Sequence, residues 1–169
     1  IKSVALGKDH PNLAISYHNF GFLHVDKGDI EKGLGYLEKA LKIRSPHLPP
    51  NHPYIASDYH AIGLANENLG NYSLAKEYYM KSLAMQQSLF GNDHGDILAN
   101  LFQLGRLFGK IKEFNLAVDY LSQSASMAQR IYGQQHPAVA SCWDMLGRTY
   151  LKMGAIEASE QYLFQALEL

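Results

Sequence analysis

The chain has 169 residues, with 15 basic and 16 acidic side chains and a formal net charge of −1. That length supports one ordinary domain, and the charge balance gives no general reason to expect nucleic acid or an anionic membrane surface as partner. Apolar residues at 47% exclude a disordered tail. No apolar run approaches the ~18 residues that a membrane-spanning helix needs. The lone cysteine, Cys142, rules out an internal disulfide and fits a reducing, cytoplasmic setting.

Internal repetition organises the sequence. His10, His52, His94 and His136 recur every 42 residues. Pro11, Pro53 and Pro137 follow three of them, and Gly95 follows the other. Gly21, Gly63, Gly105 and Gly147 form a second register. Gly28, Gly70, Lys112 and Gly154 form a third, and Tyr36, Tyr78, Tyr120 and Tyr162 a fourth. Ile1 shares the register of Ile43, Met85, Met127 and Leu169, so the frame predicts a piece cut from a longer array or a larger protein, without polar capping repeats.

In chain order, residues 1–9 read as the end of a preceding repeat or a linker. A single array follows, with repeats 10–51, 52–93, 94–135 and 136–169. Each period predicts two helices. A Pro directly after the register His suits the first helical turn, where its missing N–H costs nothing. From Pro53 to Leu69 the apolar stripe is Ile55, Ala56, Tyr59, Ile62 and Gly63. Gly70-Asn71 makes the turn. A second helix follows, with Tyr72, Ala75, Tyr79, Leu83 and Met85 inward. In the first repeat, Pro46-His47-Leu48-Pro49-Pro50 is non-helical. In the third, the second helix runs from Glu113 to Tyr132, and Gly133 closes it as a left-handed cap; Gly7 and Gly91 share that register.

A glycine inside a helix costs ~1 kcal/mol against alanine. Gly21, Gly63, Gly105 and Gly147 therefore predict close helix–helix contact. So do the small residues of the second helices: Gly33, Ala75, Ala117 and Ser159, then Ala40, Ser82, Ser124 and Ala166.

Catalytic and metal chemistry find little support. Register histidines one repeat apart are separated by roughly 20 Å in a stack of helix pairs, whereas a metal draws its ligands within ~2.1 Å of one point. They are expected to hold the inter-repeat turns, with no metal. Cys142 lies near a helix start, which could lower its pKa, but its apolar setting between Ala140 and Trp143 indicates packing. Gly28-Asp29-Ile30-Glu31-Lys32-Gly33 continues with Leu34 and forms no phosphate loop. No enzyme activity and no cofactor are expected. Most of the aromatic residues sit on the packed stripes and read as core rather than as base-stacking platforms.

Trp143-x-x-Leu146-Gly147-x-x-Tyr150 resembles the first-helix signature of tetratricopeptide repeats. Tyr17-x-x-Phe20-Gly21, Tyr59-x-x-Ile62-Gly63 and Leu101-x-x-Leu104-Gly105-x-x-Phe108 are variants of it. Ala75-x-x-x-Tyr79 and Ala117-x-x-x-Leu121 resemble the second-helix half. The 42-residue period, with Leu6-Gly7-Lys8-Asp9-His10-Pro11 or Phe90-Gly91-Asn92-Asp93-His94 as connectors, looks like the kinesin-light-chain subgroup. The resemblance implies an all-α fold, a right-handed superhelical solenoid of antiparallel helix pairs, and a protein-binding role. The departures are specific. His24 and Asn66 stand where Tyr150 carries the aromatic, and Lys112 stands at the turn glycine. The paired Asn of the subgroup is replaced by His18-Asn19, His60-Ala61, Phe102-Gln103 and Asp144-Met145, so its cargo motifs do not carry over.

The resemblance also implies that the first helix of each repeat lines a concave surface. By register the lining is His18, Asn19 and Phe22; His60, Ala61 and Leu64; Phe102, Gln103 and Arg106; and Asp144, Met145 and Arg148. Asp26, Asn68, Lys110 and Lys152 lie one turn further on. The expectation is a groove with an aromatic–apolar end and a basic end, suited to a peptide with a bulky apolar anchor and carboxylates nearby. Phe22 and Phe102 have a second reading, as packing against the next repeat. The function expected is an adaptor that holds a peptide segment of a partner. The alternatives are an intramolecular scaffold or regulatory arm of a larger enzyme or signalling protein, and self-association through uncapped ends.

Overall fold

The computed structural model describes residues 11–91 and 93–169. The readings made for residues 1–9 and for His10 lie outside the described residues. The described chain forms helices and no strand. The helices are α1 (Pro11–Asp26), α2 (Ile30–Arg44), α3 (Pro53–Asn68), α4 (Tyr72–Phe90), α5 (Gly95–Lys110), α6 (Phe114–Tyr132), α7 (Pro137–Met153) and α8 (Ile156–Leu167). First helices and second helices each start 42 residues apart, so the period read in the sequence is the period of the fold. The chain divides into two compact units, Ile1–Leu89 and Phe90–Leu169.

The start of each first helix has a chemical cause. His52, His94 and His136 sit in extended backbone, and each accepts through Nδ1 a hydrogen bond from the backbone N–H two residues on. The donors are Tyr54 at 3.1 Å, Asp96 at 3.2 Å and Ala138 at 3.1 Å. An N–H of the first turn has no partner within the helix, and a side-chain acceptor supplies one. Histidine thus takes the place usually held by Ser, Asp or Asn. This is how the register histidines hold the inter-repeat turns. Two also stack on the ring that ends the preceding helix: His94 on Phe90 at 4.0 Å and His136 on Tyr132 at 4.4 Å.

Each first helix ends in the same closure. The backbone N–H of Asp29, Asn71, Glu113 and Ala155 returns to the carbonyl five residues earlier, at His24, Asn66, Phe108 and Tyr150, over 2.9 to 3.0 Å. The closure requires a positive φ at the residue before. Gly28, Gly70 and Gly154 supply it freely, and Lys112 is driven to φ +64°. Gly133, expected as a left-handed cap, has φ +86° and ψ 166°, a glycine-only region outside the left-handed helical well.

Antiparallel packing within each pair follows from its contacts. A Cβ on Gly21 would meet Leu37 at 2.6 Å and one on Gly33 would meet Val25 at 2.7 Å, so the pairing runs in opposite directions along α1 and α2. Gly63 faces Tyr79, Gly105 faces Leu121 and Gly147 faces Leu163 in the same way. The glycines mark close contact, as the sequence predicts. Ala75, Tyr79 and Leu83 of α4 are buried and Met85 is half-buried. Tyr72, expected inward, is exposed, because it occupies the first turn, ahead of the stripe.

Aromatic stacking joins first and second helices. Phe108 lies on Tyr120 at 5.3 Å and Tyr150 on Tyr162 at 5.5 Å. In the first repeat His24 stacks on Tyr36 at 5.5 Å and keeps the ring-on-ring contact without an aromatic hydrocarbon. Asn66 has no ring to offer; it donates to the Ile62 carbonyl at 2.9 Å.

Candidate peptide-binding surface

In the first unit, the register position of Asp58 faces the preceding helix pair. Asp58 is fully buried. Its Oδ1 accepts from Arg44 Nη1 of α2 at 2.5 Å and from His18 Nδ1 of α1 at 2.7 Å. Arg44 is itself buried; it also donates to the Tyr54 carbonyl at 3.2 Å and lies over the Tyr54 ring at 4.9 Å. Asp58 Oδ2 has no hydrogen-bond partner among the described residues. His18 was expected to face a ligand. Its side chain is 19% exposed and spends its ring N–H on Asp58, tying the first repeat to the second. His60 makes a tilted ring contact with Tyr79 at 5.5 Å. Ala61 is buried and Leu64 half-buried, while Asn19 and Phe22 are exposed.

In the second unit, Leu121, Ala125, Cys142 and Leu146 form a buried cluster, with Phe102, Trp143 and Met145 packed against it. Phe102 therefore takes the packing role offered as its second reading and still reaches the surface. Cys142 is closed off: burial pushes its thiol pKa up, and a hydrogen bond with Ser124 at 3.4 Å only partly offsets that. The lowering that a helix start could give is overridden, because the thiol lies inside the helix–helix contact rather than at the end of the helix.

Phe102, Asp144 and Met145 come together in one groove of about 530 Å³, with Ala140 and Ser141 of α7 and Leu163, Ala166 and Leu167 of α8. Phe164 and Leu167 nearby are 62% and 84% exposed. The basic residues expected beside it divide. Arg148 donates through Nε to Asp144 at 2.7 Å along its own helix and stays exposed. Arg106 is half-buried and Lys110 exposed, and both engage partners. Gln103 is half-buried, with Oε1 unbonded. Lys152 is exposed and lies at a different groove, beside Lys112.

The sequence reading missed the part played by α8, because the wall formed by Leu163 and Leu167 appears only when the second helix folds back on the first. It also missed Asp58, although a signal was present. Its register runs Asp58, Asn100, Cys142, and the partner register runs Arg44, Gln86, Ala128. Asp58, Asn100, Arg44 and Gln86 are all buried. Among the described residues no helix is long and apolar enough to cross a membrane.

The family model described as tetratricopeptide repeat matches residues 12–88, 54–129 and 110–169. No curated protein matches the sequence. The fold is similar to that of BtubC (BKLC) from P. vanneervenii, with a TM-score of 0.87 and 21% identity over 94% of this chain and 63% of the other. The chain thus spans less than two thirds of that protein. A putative kinesin light chain from Podosopora anserina, with nearly identical repeats, is similar at TM-score 0.82 and 22% identity, covering 99% of this chain and 79% of that one. Aspartyl phosphate phosphatase F from Bacillus subtilis is similar at TM-score 0.83 and 13% identity, covering 94% and 40%.

Proposed function

This chain belongs to the tetratricopeptide-repeat family, and we propose that it is an adaptor that holds a peptide segment of a partner protein through the α7–α8 groove, within a single array of repeats 10–51, 52–93, 94–135 and 136–169. Repeats of this kind are generally protein-interaction modules. One observation carries the assignment to this groove. Three residues expected at the concave surface, Phe102, Asp144 and Met145, line it together with Leu163 and Leu167.

The chemistry of the groove sets what it takes. Its walls are apolar, so a bulky apolar side chain of the peptide supplies most of the affinity. Arg106 lies one helical turn from Phe102 on α5 and steers a carboxylate toward it. An exposed ion pair contributes only ~0.2–1 kcal/mol, so affinity is roughly micromolar and falls with salt. Arg106 and Arg148 both already engage partners within the chain, so the apolar walls carry most of the selection.

Peptide selection from a displayed library, followed by fluorescence anisotropy on the selected peptides, tests this. The expected peptides share one bulky apolar residue near acidic ones. Leu167→Glu, which alters an exposed side chain, should weaken them about tenfold or more. Equal binding by Leu167→Glu would move the site away from this groove.

A further inference from the structure

The turn between the two helices of a pair builds the same groove twice, at registers two periods apart. In the first unit Gly28, Asp29, Ile30, Glu31, Lys32 and Leu69 line a groove of about 510 Å³. In the second unit the equivalent positions are Lys112, Glu113, Phe114, Asn115, Leu116 and Met153, joined by Lys152, around about 580 Å³. The backbone is conserved between the two and the chemistry is inverted. The first groove carries two acids and one base, the second two bases and one acid. Four exchanges produce this: Gly28 becomes Lys112, Glu31 becomes Asn115, Lys32 becomes Leu116, and the register of Asn68 becomes Lys152.

Lys112 is placed there at a cost. The helix closure demands a positive φ, three repeats meet it with glycine, and this one holds a lysine at φ +64°. A side chain in that region is disfavoured by contact between Cβ and the backbone. Strain that the fold could shed with a glycine points to a use for the side chain. Neither Lys112 nor Lys152 has an ion-pair partner among the described residues, whereas Arg44, Lys81, Arg130 and Arg148 each hold a carboxylate. Phe114 is half-buried, and Leu116 and Met153 are partly exposed beside the two ammonium groups.

We propose that this groove is a second binding surface, taking a carboxylate-rich segment of a partner protein: acidic side chains meet Lys112 and Lys152, and an apolar one rests on Leu116 and Met153. It does not depend on the α7–α8 groove. Two cations are too few for a nucleic-acid backbone, where each phosphate contact needs its own, and a small free anion would leave the apolar floor unused.

The test is an NMR titration of the ¹⁵N-labelled chain with the capped pentapeptide Glu-Glu-Leu-Glu-Glu, its Gln-Gln-Leu-Gln-Gln counterpart, inorganic phosphate and oligo-dT. The acidic peptide should shift the amides of Lys112 to Leu116, Lys152 and Met153, and the other three probes should not. Lys112→Gly and Lys152→Gln should each weaken the acidic peptide roughly two- to fivefold. Lys112→Gly should also raise the thermal midpoint by a few degrees, separating loss of binding from loss of fold. Unchanged affinity in both variants overturns the proposal. So does a fall in midpoint for Lys112→Gly, or an equal response to the Gln peptide, to phosphate or to oligo-dT.

Discussion

Arg44 and Asp58 form a buried ion pair between α2 and α3, with Nη1 at 2.5 Å from Oδ1, the Asp58 side chain wholly out of water and that of Arg44 only 6% exposed. Removing a charge from water costs several kcal/mol, which mutual attraction repays only with good geometry and further hydrogen bonds. His18 and the Tyr54 carbonyl supply those bonds. Asp58→Ala should therefore destabilise the chain by about 3–5 kcal/mol, because it strands a buried guanidinium. The double variant Arg44→Met/Asp58→Leu should recover most of that loss. Urea unfolding of the three proteins checks both; a double variant no better than the single would show that the pair is not the source of the cost.

The histidine caps should be separable from the helices they start. His94→Ala and His136→Ala each leave a first-turn N–H unpaired and should cost about 1 kcal/mol. Asn at the same positions keeps an acceptor at the right distance and should cost much less. Thermal unfolding of the alanine and asparagine variants side by side distinguishes a cap from mere ring packing.

Two glycines in helix interiors should respond with opposite signs to the same substitution. A Cβ at Gly105 would lie 2.6 Å from Leu121 Cγ and 3.1 Å from its backbone nitrogen, so Gly105→Ala forces α5 and α6 apart and should cost about 1–3 kcal/mol. Gly35 has nothing within 4 Å, and Gly35→Ala should stabilise by about 0.5–1 kcal/mol through helix propensity alone. Denaturant midpoints give both signs in one experiment.

Asp93 and Arg130 close an exposed pair across the inter-repeat turn, with Oδ1 accepting from Nη2 at 2.7 Å and from Nε at 3.0 Å. The hydrogen bonds from Arg130 hold the Asp93 carboxyl below its ordinary value of 3.8. A depressed carboxylate pKa stabilises the folded chain above the unfolded value, and that contribution is lost as the pH falls through the folded one. The Asp93 carboxyl carbon, followed by NMR, should titrate below 3.8 and move back up in Arg130→Gln. An unmoved midpoint in the variant would remove Arg130 as the cause.

Much of the fold was legible in the sequence because it depends on local rules repeated in phase. His94, Pro137 and Gly105 mark a helix start, a first turn and a contact wherever they fall in the period, and no distant residue is needed to interpret them. Lys112 was legible only as a departure; that the turn would force it to a positive φ follows from the closing bond between Glu113 and Phe108. The candidate site was less legible. Register placed His18 on a binding surface, and only the approach of α1 and α3 decided that its ring N–H would go to Asp58. Register placed Arg148 on the same row, and its bond to Asp144 is a contact four residues apart along α7 that helix spacing alone allows and that leaves Arg148 exposed. The sequence by itself determined the period, the helix boundaries and the contact glycines, since these follow from backbone closure and side-chain size. Tertiary structure alone decided which buried polar groups, such as His18, Arg44 and Asp58, are spent on one another, because a buried charge is answered by whatever packing brings within hydrogen-bond distance, and that distance is set between helices.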